Sequence, residues 1–525
     1  MDSVNVYTDI AESYADYLKD ESRKAGCADS ISFPTSPEEV CSALRWAASQ
    51  GVGVTTQGAR TGITAGATPD GGHILNLSRM KRVLGLSRCS DRDAFLLTVE
   101  PGITLGEVNR MAAERAFETD GWSDASRAAL DSLAASTGAY MFAPDLTETS
   151  ASLGGLLACN GSGARSYLYG AARRHVERIV VALADGDTVE LRRGVDRGHG
   201  RRFSLTTAGG RRIEGPVPAY RMPDVKNAAG FYAADDMDLL DLFIGSEGTL
   251  GVLVQADIVL IRRPEVLWGL TVFLPDEPSA LRLVAEARRT TCATAIEFMN
   301  HGALNLLRRM KADNPAFAAL PELPPHWHTG VYVEYQGRTE DDAEGQVALL
   351  SDILEACGGD PDATWLATDA KGIARFKAVR HAIPEAVNLM IDERRRAHPR
   401  LTKLGTDLAV PDAHLQEVMR MYREDLDARG LEYVSFGHIG NNHVHVNIIP
   451  RSMEDYEAGR ALYLDWARRV VALGGSVSAE HGIGKLKTAM LALMYGEDGV
   501  AQMRTLKRCF DPQGRLNRGN LFQAG

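Results

Sequence analysis

Glycine is concentrated in a few short segments of this chain, and this distribution limits the possible fold more than any other feature. Glycine makes up 51 of the 525 residues, and its excess clusters at 51–72, 154–170, 245–251, 437–440 and 474–484. Gly-rich segments between apolar runs mark places where the backbone turns tightly or approaches another group closely. Five such segments in one chain predict a ligand that is held largely by backbone loops.

The charge balance and the cysteines exclude several classes of protein. The net charge is -11, whereas a general nucleic-acid binder would be basic, so no nucleic-acid partner is expected. The seven cysteines are scattered without a Cys-x-x-Cys pair, which argues against a disulfide framework, an iron–sulfur cluster or a four-cysteine zinc site. The N-terminus lacks an apolar signal region, and no run of about 18 apolar residues occurs. We expect a cytoplasmic protein, with peripheral association at a membrane as an alternative.

The pattern of apolar residues predicts an α+β protein with two domains. Residues 1–265 alternate short strands with amphipathic helices, including a helix over 37–51. Residues 266–500 are typical of a second α+β domain built on an antiparallel sheet. The polar, Arg- and Gly-rich segment at about 190–232 is predicted as a surface insertion of the first domain. Residues 501–525 are expected to return to the first domain.

The first three Gly-rich clusters have the composition of ligand-binding loops. In Gln57–Ala67, small residues allow successive backbone N–H groups to converge on an anion such as a pyrophosphate. This loop is not a P-loop, because no Gly-Lys-Ser/Thr follows it, and the nearest Gly-x-Gly-x-x-Gly match, Gly161–Ser166, lacks the third glycine. The other two clusters lie within 144–170 and 242–252. Each cluster taken alone is also compatible with a plain turn.

Two segments of the second half concentrate imidazoles. Polar and apolar residues alternate through 443–449, so on a strand its polar side chains would share one face. These polar side chains are His443, His445 and Asn447. His438 precedes them across a Gly-containing turn, and the second segment carries Glu480 and His481. Two imidazoles and a carboxylate are a suitable ligand set for a divalent metal with open positions.

The three Gly-rich loops, in this order and spacing, resemble the FAD-binding domain of the p-cresol methylhydroxylase/vanillyl-alcohol oxidase (PCMH/VAO) flavoprotein superfamily. The resemblance covers roughly residues 30–265 and continues to the C-terminus, and it implies a PCMH/VAO-type FAD-binding domain followed by a cap, or substrate, domain. Some members tether FAD through a His in the first loop; none occurs at 57–67, which implies noncovalent FAD. The residues that the resemblance assigns to FAD are Gly58, Ala59, Arg60, Thr61, Gly62, Gly102, Pro144, Gly154, Gly155, Ser162, Glu247, Gly248, Gly251 and Val252.

The first loop departs from the superfamily pattern. Ala59 and Arg60 stand where the usual Gly-Gly-Gly-Thr-Gly has glycines. The methyl group of Ala59 is tolerable. The larger Arg60 side chain has two possible positions, against a phosphate of FAD or out toward solvent.

The two His-containing segments resemble the C-terminal signatures of the FAD-linked D-2-hydroxy-acid dehydrogenase family, which includes D-lactate dehydrogenases and the flavoprotein subunit of glycolate oxidase. The resemblance implies that a divalent metal (Zn, Mn or Fe) is held by His438, His445 and Glu480. It also implies the roles of three further residues. These are His481 as the base, Asn447 as a hydrogen-bonding partner of the substrate, and Arg380 as a clamp for the substrate carboxylate.

Two positions near these signatures have no assigned role. His443 stands where the family has an Asn, and it is a candidate fourth ligand, a neighbour of the ligands, or a flavin contact. Some relatives carry a substrate-binding Lys where this chain has Gly405, and whether Lys403 takes that role is left open by the sequence.

The resemblance implies a flavin-dependent dehydrogenase that oxidises a small D-2-hydroxy acid, similar to D-lactate, to the 2-oxo acid. The Cα hydride would pass to FAD N5, and the electrons to an external acceptor: an electron-transfer flavoprotein, a quinone, a cytochrome or a partner subunit. A homodimer is compatible with it. Two alternatives remain: a transferase similar to alkylglycerone-phosphate synthase, which carries a His-His-His run where this chain has Ala479–His481, and a non-catalytic FAD electron-relay subunit.

Overall fold

The first half of the chain forms three separate sheets in the computed structural model, which describes residues 5–523 apart from the side chain of Ala11. The strands are β1 (Ser30–Ser32), β2 (Val54–Gln57), β3 (His73–Asn76), β4 (Val83–Arg88), β5 (Ala94–Val99), β6 (Tyr140–Phe142), β7 (Val176–Ala182), β8 (Thr188–Arg192), β9 (Arg202–Thr206), β10 (Arg212–Pro216) and β11 (Val252–Arg262). A parallel sheet has the order β1-β3-β2, and an antiparallel sheet has the order β4-β5-β11-β7-β8 with β6 also paired to β11. Strands β9 and β10 form a hairpin.

The helices of the first half pack around these sheets. They are α1 (Ile10–Ser13), α2 (Pro37–Gln50), α3 (Leu105–Glu114), α4 (Asp124–Ala135), α5 (Leu153–Ala158) and α6 (Ser166–Tyr169), with short 3₁₀ turns at Ala15–Leu18, Ala172–His175 and Leu239–Leu242. The helix predicted over 37–51 is confirmed as α2. The side chain of Ser36 accepts a hydrogen bond from the backbone N–H of Glu39, Pro37 occupies the first turn, and Gly51 ends the helix at a positive φ of 68°.

The second half is built on one seven-stranded sheet. Its strands are β12 (Val266–Leu274), β13 (Ala293–Met299), β14 (Thr329–Gly337), β15 (Trp365–Ala367), β16 (Leu404–Gly405), β17 (Tyr433–His438) and β18 (His443–Ile448). They have the order β15-β12-β14-β13-β17-β18-β16, and every strand pair is antiparallel. The predicted antiparallel sheet of the second domain is therefore confirmed.

Helices cover this sheet and connect its strands. They are α7 (Glu277–Thr290), α8 (His301–Asp313), α9 (Glu340–Ala356), α10 (Ala370–Arg395), α11 (Leu415–Ala428), α12 (Met453–Ala472) and α13 (Thr488–Phe510), with 3₁₀ turns at Pro315–Phe317, Pro361–Ala363, Asp412–His414 and Ile439–Asn441. In the part of the chain that the model describes, no helix has both the length and the apolarity needed to cross a bilayer.

One face of the seven-stranded sheet carries ionisable side chains. Alternate residues of a strand point to the same face, and the register pairs Glu297 with Tyr332 and His438 with His443 across neighbouring strands. His445 follows two residues after His443 and therefore lies on the same face. Non-consecutive strands β13 and β17 are neighbours, so this face brings together side chains from positions far apart in the sequence.

The segment predicted as a surface insertion is only partly at the surface. Its hairpin β9-β10 alternates buried and exposed residues, but the side chain of Lys226 is only 5% exposed and reaches into the second half of the chain. Helix α13 packs on β10 and crosses the predicted boundary at 500/501. Beyond it, Leu516 forms a parallel bridge to Val54 in the first half.

Candidate active site

Three imidazoles and one carboxylate converge at the polar face of the seven-stranded sheet. His438 ends β17, and His443 and His445 lie on β18. Glu480 lies in the loop before α13. One ligand atom from each of the four residues can be chosen so that all lie within 4.8 Å of one another. The structure thus brings together the three predicted metal ligands and adds His443 to them.

Each imidazole has one nitrogen next to an oxygen of the protein and the other facing the cluster. His438 Nδ1 lies 2.5 Å from Glu297 Oε1, and His445 Nδ1 lies 3.0 Å from the carbonyl oxygen of Thr406. His443 Nε2 lies 3.0 Å from Asp407 Oδ1. An oxygen on the outer nitrogen fixes the orientation of a metal-binding imidazole, so this is the arrangement that metal ligation requires.

Both oxygens of Glu480 face the imidazoles, and one of them also pairs with a cation. Its Oε1 lies 2.6 Å from Lys226 Nζ and 3.2 Å from His438 Nε2. Its Oε2 lies 3.7 Å from His443 Nδ1 and 3.8 Å from His445 Nε2. Burial alone would raise the pKa of Glu480, but the charges of His438 and Lys226 outweigh it and hold this pKa well below its usual range.

The pKa values of the imidazoles differ because their neighbours differ. Burial acts to lower the pKa of His438, but the adjacent Glu297 and Glu480 outweigh it and raise this pKa. Burial lowers the pKa of His443 to about 4 and that of His445 well below its usual range. The last two imidazoles are therefore neutral near pH 7, which is the protonation state that binds a metal.

Glu297 connects the cluster to the predicted substrate clamp. Its Oε2 accepts a hydrogen bond of 2.9 Å from Arg380 Nε, while its Oε1 faces His438. The Arg380 guanidinium lies over the ring of Phe436, 4.5 Å from the ring centroid. Burial raises the pKa of Glu297, but His438 and Arg380 outweigh this effect and lower it to about 2, so the carboxylate is ionised.

Asp407 positions the predicted base. Its buried carboxylate accepts hydrogen bonds from the backbone N–H groups of Glu480 and His481, and its Oδ2 lies 3.3 Å from His481 Nδ1. Lys487 Nζ lies 2.6 Å from the same oxygen, and the hydroxyl of Ser478 donates to it at 2.7 Å. Asp407 is therefore fixed from several sides. The side chain of His481 is 32% exposed, which leaves Nε2 access to the adjoining cavity.

A cavity of about 340 Å³ adjoins this cluster and is lined by the Gly-rich loops of the first half. His438, Glu480 and His481 line the same cavity, so one edge of the cluster and the predicted flavin loops face one space. The predicted FAD residues that line it are Gly58, Ala59, Arg60, Thr61, Gly62, Gly154, Gly155, Ser162, Glu247, Gly248, Gly251 and Val252. Gly102 and Pro144 are buried and do not line the cavity. For all fourteen residues a contact with FAD stays a prediction.

Two of the lining residues have partners within the protein. The Arg60 guanidinium donates to the carbonyl oxygen of Asp16 and lies over the Tyr17 ring, 4.3 Å from its centroid, so it is directed toward the N-terminal segment. The Glu247 carboxylate accepts hydrogen bonds from the backbone N–H groups of Ile483 and Gly484, at 2.6 and 2.8 Å. Glu247 therefore joins the third Gly-rich loop to the loop that carries His481.

The remaining predicted residues lie close to the cluster. Asn447 is buried on β18, two residues after His445 on the same face, and Arg380 lies on α10. Gly405 on β16 pairs with Asn447 and is exposed. Burial lowers the pKa of Lys403, which is two residues away. The structure thus places Asn447 in the sheet that holds the cluster, and Arg380 beside Glu297.

Both predicted groups fit the residues present. His443 Nδ1, the ring nitrogen that faces the cluster, is buried and has no hydrogen-bond partner among the described residues; with two other imidazoles and a carboxylate it suits a divalent cation. Within the same described part of the chain, the buried Ser162 hydroxyl at the cavity also lacks a partner. A Cβ on Gly58 would lie 2.0 Å from Ser152 Oγ, so the first loop is packed too closely for a side chain there. These features suit a cofactor held by backbone loops.

Three residues of the site were not identified from the sequence. Glu297, Asp407 and Lys226 lie outside the His-rich segments, and their roles follow from contacts over long sequence separations. Glu297 had a local signal, since a carboxylate in the otherwise apolar strand segment 293–299 must find a partner when it is buried. Lys226 had none, because it lies in a polar segment.

Models of two protein domains match this chain. The FAD binding domain matches residues 28–130, and the C-terminal domain of FAD linked oxidases matches residues 263–521. The two matches fall in the two halves of the fold described above.

Curated proteins match along nearly the whole chain. A probable mitochondrial D-lactate dehydrogenase of Danio rerio is 27% identical over 94% of this chain and 84% of its own length. A D-2-hydroxyglutarate dehydrogenase of Stutzerimonas stutzeri is 26% identical over 99% of this chain and 96% of its own length.

The fold also resembles a solved structure. An alkyldihydroxyacetonephosphate synthase has a TM-score of 0.60 at 16% identity, covering 94% of this chain and 76% of the synthase. At that identity the likeness establishes the fold alone. With both domains matched and these dehydrogenases among its full-length relatives, the chain belongs to the FAD-linked D-2-hydroxy-acid dehydrogenase family of FAD-dependent oxidoreductases.

Proposed function

We propose that this protein oxidises a small D-2-hydroxy acid, similar to D-lactate, to the corresponding 2-oxo acid. The observation that carries the proposal is the cavity that His481, two members of the metal cluster (His438 and Glu480) and the Gly-rich loops line together. A hydroxy acid in this cavity would meet a base, a cation site and a flavin site together. The relatives named as D-lactate and D-2-hydroxyglutarate dehydrogenases support this class of substrate.

Two bound groups would supply the chemistry that side chains cannot. FAD, held noncovalently by the Gly-rich loops, supplies the acceptor for the hydride. A divalent metal, held by His438, His445 and Glu480 with His443 as a fourth ligand, supplies Lewis-acid polarisation of the substrate hydroxyl.

His481 is the group that removes the hydroxyl proton. Asp407 lies at its Nδ1, which leaves Nε2 as the nitrogen that accepts the proton. The negative charge of Asp407 also stabilises the imidazolium that forms, as a buried carboxylate does in other His–Asp pairs. The proton on His481 would then leave through the cavity, because the ring is partly exposed there.

Arg380 and Asn447 would orient the substrate. Glu297 engages Arg380 Nε, so a clamp on the substrate carboxylate would use the terminal amino groups of the guanidinium. Asn447 lies two residues after His445 on β18, so it is on the same face of the sheet as the cluster. Holding the carboxylate and the hydroxyl together fixes which face of Cα points at the flavin, which is how the site would select one enantiomer.

Electrons must then leave the flavin. No Cys-x-x-Cys occurs in the chain and its cysteines are scattered, so we propose an external acceptor of the kinds expected from the sequence.

The carboxylate of Glu480 between Ala479 and His481 favours metal-assisted oxidation over a transferase, since hard oxygen and imidazole donors suit a divalent cation.

Anaerobic reduction of the flavin tests this proposal. A panel of D- and L-lactate and D- and L-2-hydroxyglutarate should bleach the flavin absorbance with the D enantiomers only. His481→Ala should slow this bleaching by about 10²- to 10⁴-fold, the range for loss of a general base, while the FAD content stays unchanged.

A surface imidazole provides the control for that experiment. His414 pairs with Glu417 at the start of α11, and His414→Ala should reduce its flavin at the wild-type rate. Wild-type bleaching in His481→Ala would remove His481 from the mechanism. A flavin that no hydroxy acid reduces would instead favour the electron-relay alternative.

A further inference from the structure

Lys226 is an unexpected neighbour for a metal site. Its ammonium lies 2.6 Å from Glu480 Oε1, and its side chain is only 5% exposed, so the pair is shielded from solvent. The same carboxylate offers its other oxygen to His443 and His445. A fixed positive charge therefore lies directly beside the position that a divalent cation would occupy.

The backbone around Lys226 holds this ammonium in place. Lys226 Nζ also donates to the carbonyl oxygen of Gly163 at 3.3 Å. The next residue, Asn227, accepts a hydrogen bond of 2.6 Å from the Ser476 hydroxyl, and the N–H of Ala228 donates to the carbonyl oxygen of Ser478. Because its neighbours are tied to the loop that carries Glu480, the backbone of Lys226 stays beside that loop, and its ammonium is held there by Glu480 and Gly163.

We propose that Lys226 is a positioning residue that keeps Glu480 paired through Oε1, presents Oε2 alone to the metal, and weakens metal binding so that the ion stays exchangeable. This inference rests on the proposed metal site. Two physical effects support it. An ammonium that remains in the low-dielectric interior repels a second cation far more than it would in water. In the metal-free protein, the same ammonium compensates a buried carboxylate that would otherwise be costly to hold.

Metal titration of variants at this position tests the inference. The FAD-loaded protein is stripped of metal with a chelator and titrated at one fixed pH with Zn²⁺ or Mn²⁺ against a competing chelator. Lys226→Met should bind each ion at least tenfold more tightly than the wild type. Lys226→Arg keeps the charge and should bind like the wild type.

A further variant separates charge from hydrogen bonding. Lys226→Gln keeps a donor for Oε1 without a charge and should behave like Lys226→Met. The metal-free form of Lys226→Met should have a lower thermal midpoint than the metal-free wild type, and added metal should raise it by more. Lys377→Met is the control, because Lys377 pairs with Glu334 and should leave the metal affinity unchanged.

The outcomes distinguish this inference from the proposed function. If the wild type binds metal and His438→Ala does not, the metal site stands. If Lys226→Met then binds metal as tightly as the wild type or less tightly, the role of Lys226 is overturned. Failure of the wild type and of every variant to bind either ion would overturn the metal site and this inference with it.

Discussion

Glu297 serves two proposed roles in the site at once. One of its oxygens faces His438 Nδ1 and the other accepts from Arg380, so a single carboxylate orients a metal ligand and the substrate clamp. A carboxylate beside a metal-binding imidazole fixes the ring and increases its basicity. Glu297 should therefore affect metal affinity without touching the metal.

Replacing Glu297 by Gln should weaken metal binding by about 10- to 100-fold, the usual range for loss of such a partner. The measurement is a competition titration with Zn²⁺ on the FAD-loaded protein. Glu334→Gln is a matched control, since Glu334 lies on the same sheet face but pairs with Arg165 and Lys377. Equal metal affinities for the two variants would show that Glu297 has no special relation to the cation.

How far sequence predicts this site depends on the distance over which each contact forms. His443, His445 and Asn447 follow a strand alternation of period two, which is visible in a short segment, and β18 confirms it. Glu297 faces the imidazoles because its strand β13 is the neighbour of β17. Asp407 faces them because β16, which ends two residues before it, pairs with β18. Such strand orders are set by the packing of the whole domain and leave no local pattern.

At the scale of elements, His73 joins two strands of the parallel sheet. Its Nδ1 and Nε2 each lie 2.8 Å from a hydroxyl oxygen, those of Ser30 and Ser32 on β1. The imidazole is fully buried, and this burial lowers its pKa from 6.5 to about 4. Folding therefore favours the neutral ring.

This depressed pKa predicts a pH dependence of the free energy of unfolding. Above pH 6.5 the ring is neutral in both states; between pH 6.5 and 4 the unfolded chain binds a proton that the folded state resists. The contribution of His73 is thus complete above the unfolded pKa and is lost as the pH falls toward the folded pKa. The expected loss is about 3 kcal/mol, at 1.36 kcal/mol per pKa unit.

Thermal midpoints measured from pH 7 to pH 4.5 test this dependence. His73→Gln, which keeps a donor and an acceptor but does not titrate, should lose less stability over this interval than the wild type. His414→Gln at the exposed start of α11 should follow the wild type. Parallel curves for wild type and His73→Gln would exclude His73 as a source of acid sensitivity.

At the scale of the whole molecule, polar contacts join the two halves around the shared cavity. Arg165 of the second Gly-rich cluster pairs with Glu334 on β14 at 2.7 Å, and the hydroxyl of Tyr169 donates to Gln336 on the same strand. Glu247 joins the third Gly-rich loop to Ile483 and Gly484. The flavin loops and the cap sheet are therefore positioned against each other by side chains whose partners lie more than 150 residues away.

The Arg165–Glu334 pair predicts how strongly the halves are coupled. The Glu334 side chain is 1% exposed, and Lys377 at 3.2 Å and the Tyr332 hydroxyl at 2.7 Å are its other partners. Arg165→Met should destabilise the protein, because it leaves a buried carboxylate with only part of its compensation. The cost should lie below the roughly 3–5 kcal/mol of a fully broken buried pair, since Lys377 remains.

Comparison of the single variant with a double variant separates the cost of breaking this pair from the cost of removing it altogether. Arg165→Met/Glu334→Met removes both charges, and replacing a buried pair by apolar side chains is often close to neutral. The thermal midpoint should therefore fall in Arg165→Met and recover much of that loss in the double variant. Tyr169→Phe removes a single neutral hydrogen bond and should lower the free energy of unfolding by about 1 kcal/mol. A double variant less stable than Arg165→Met would contradict this expectation, because it would mean that Glu334 still stabilises the protein through Lys377 and Tyr332 when Arg165 is absent.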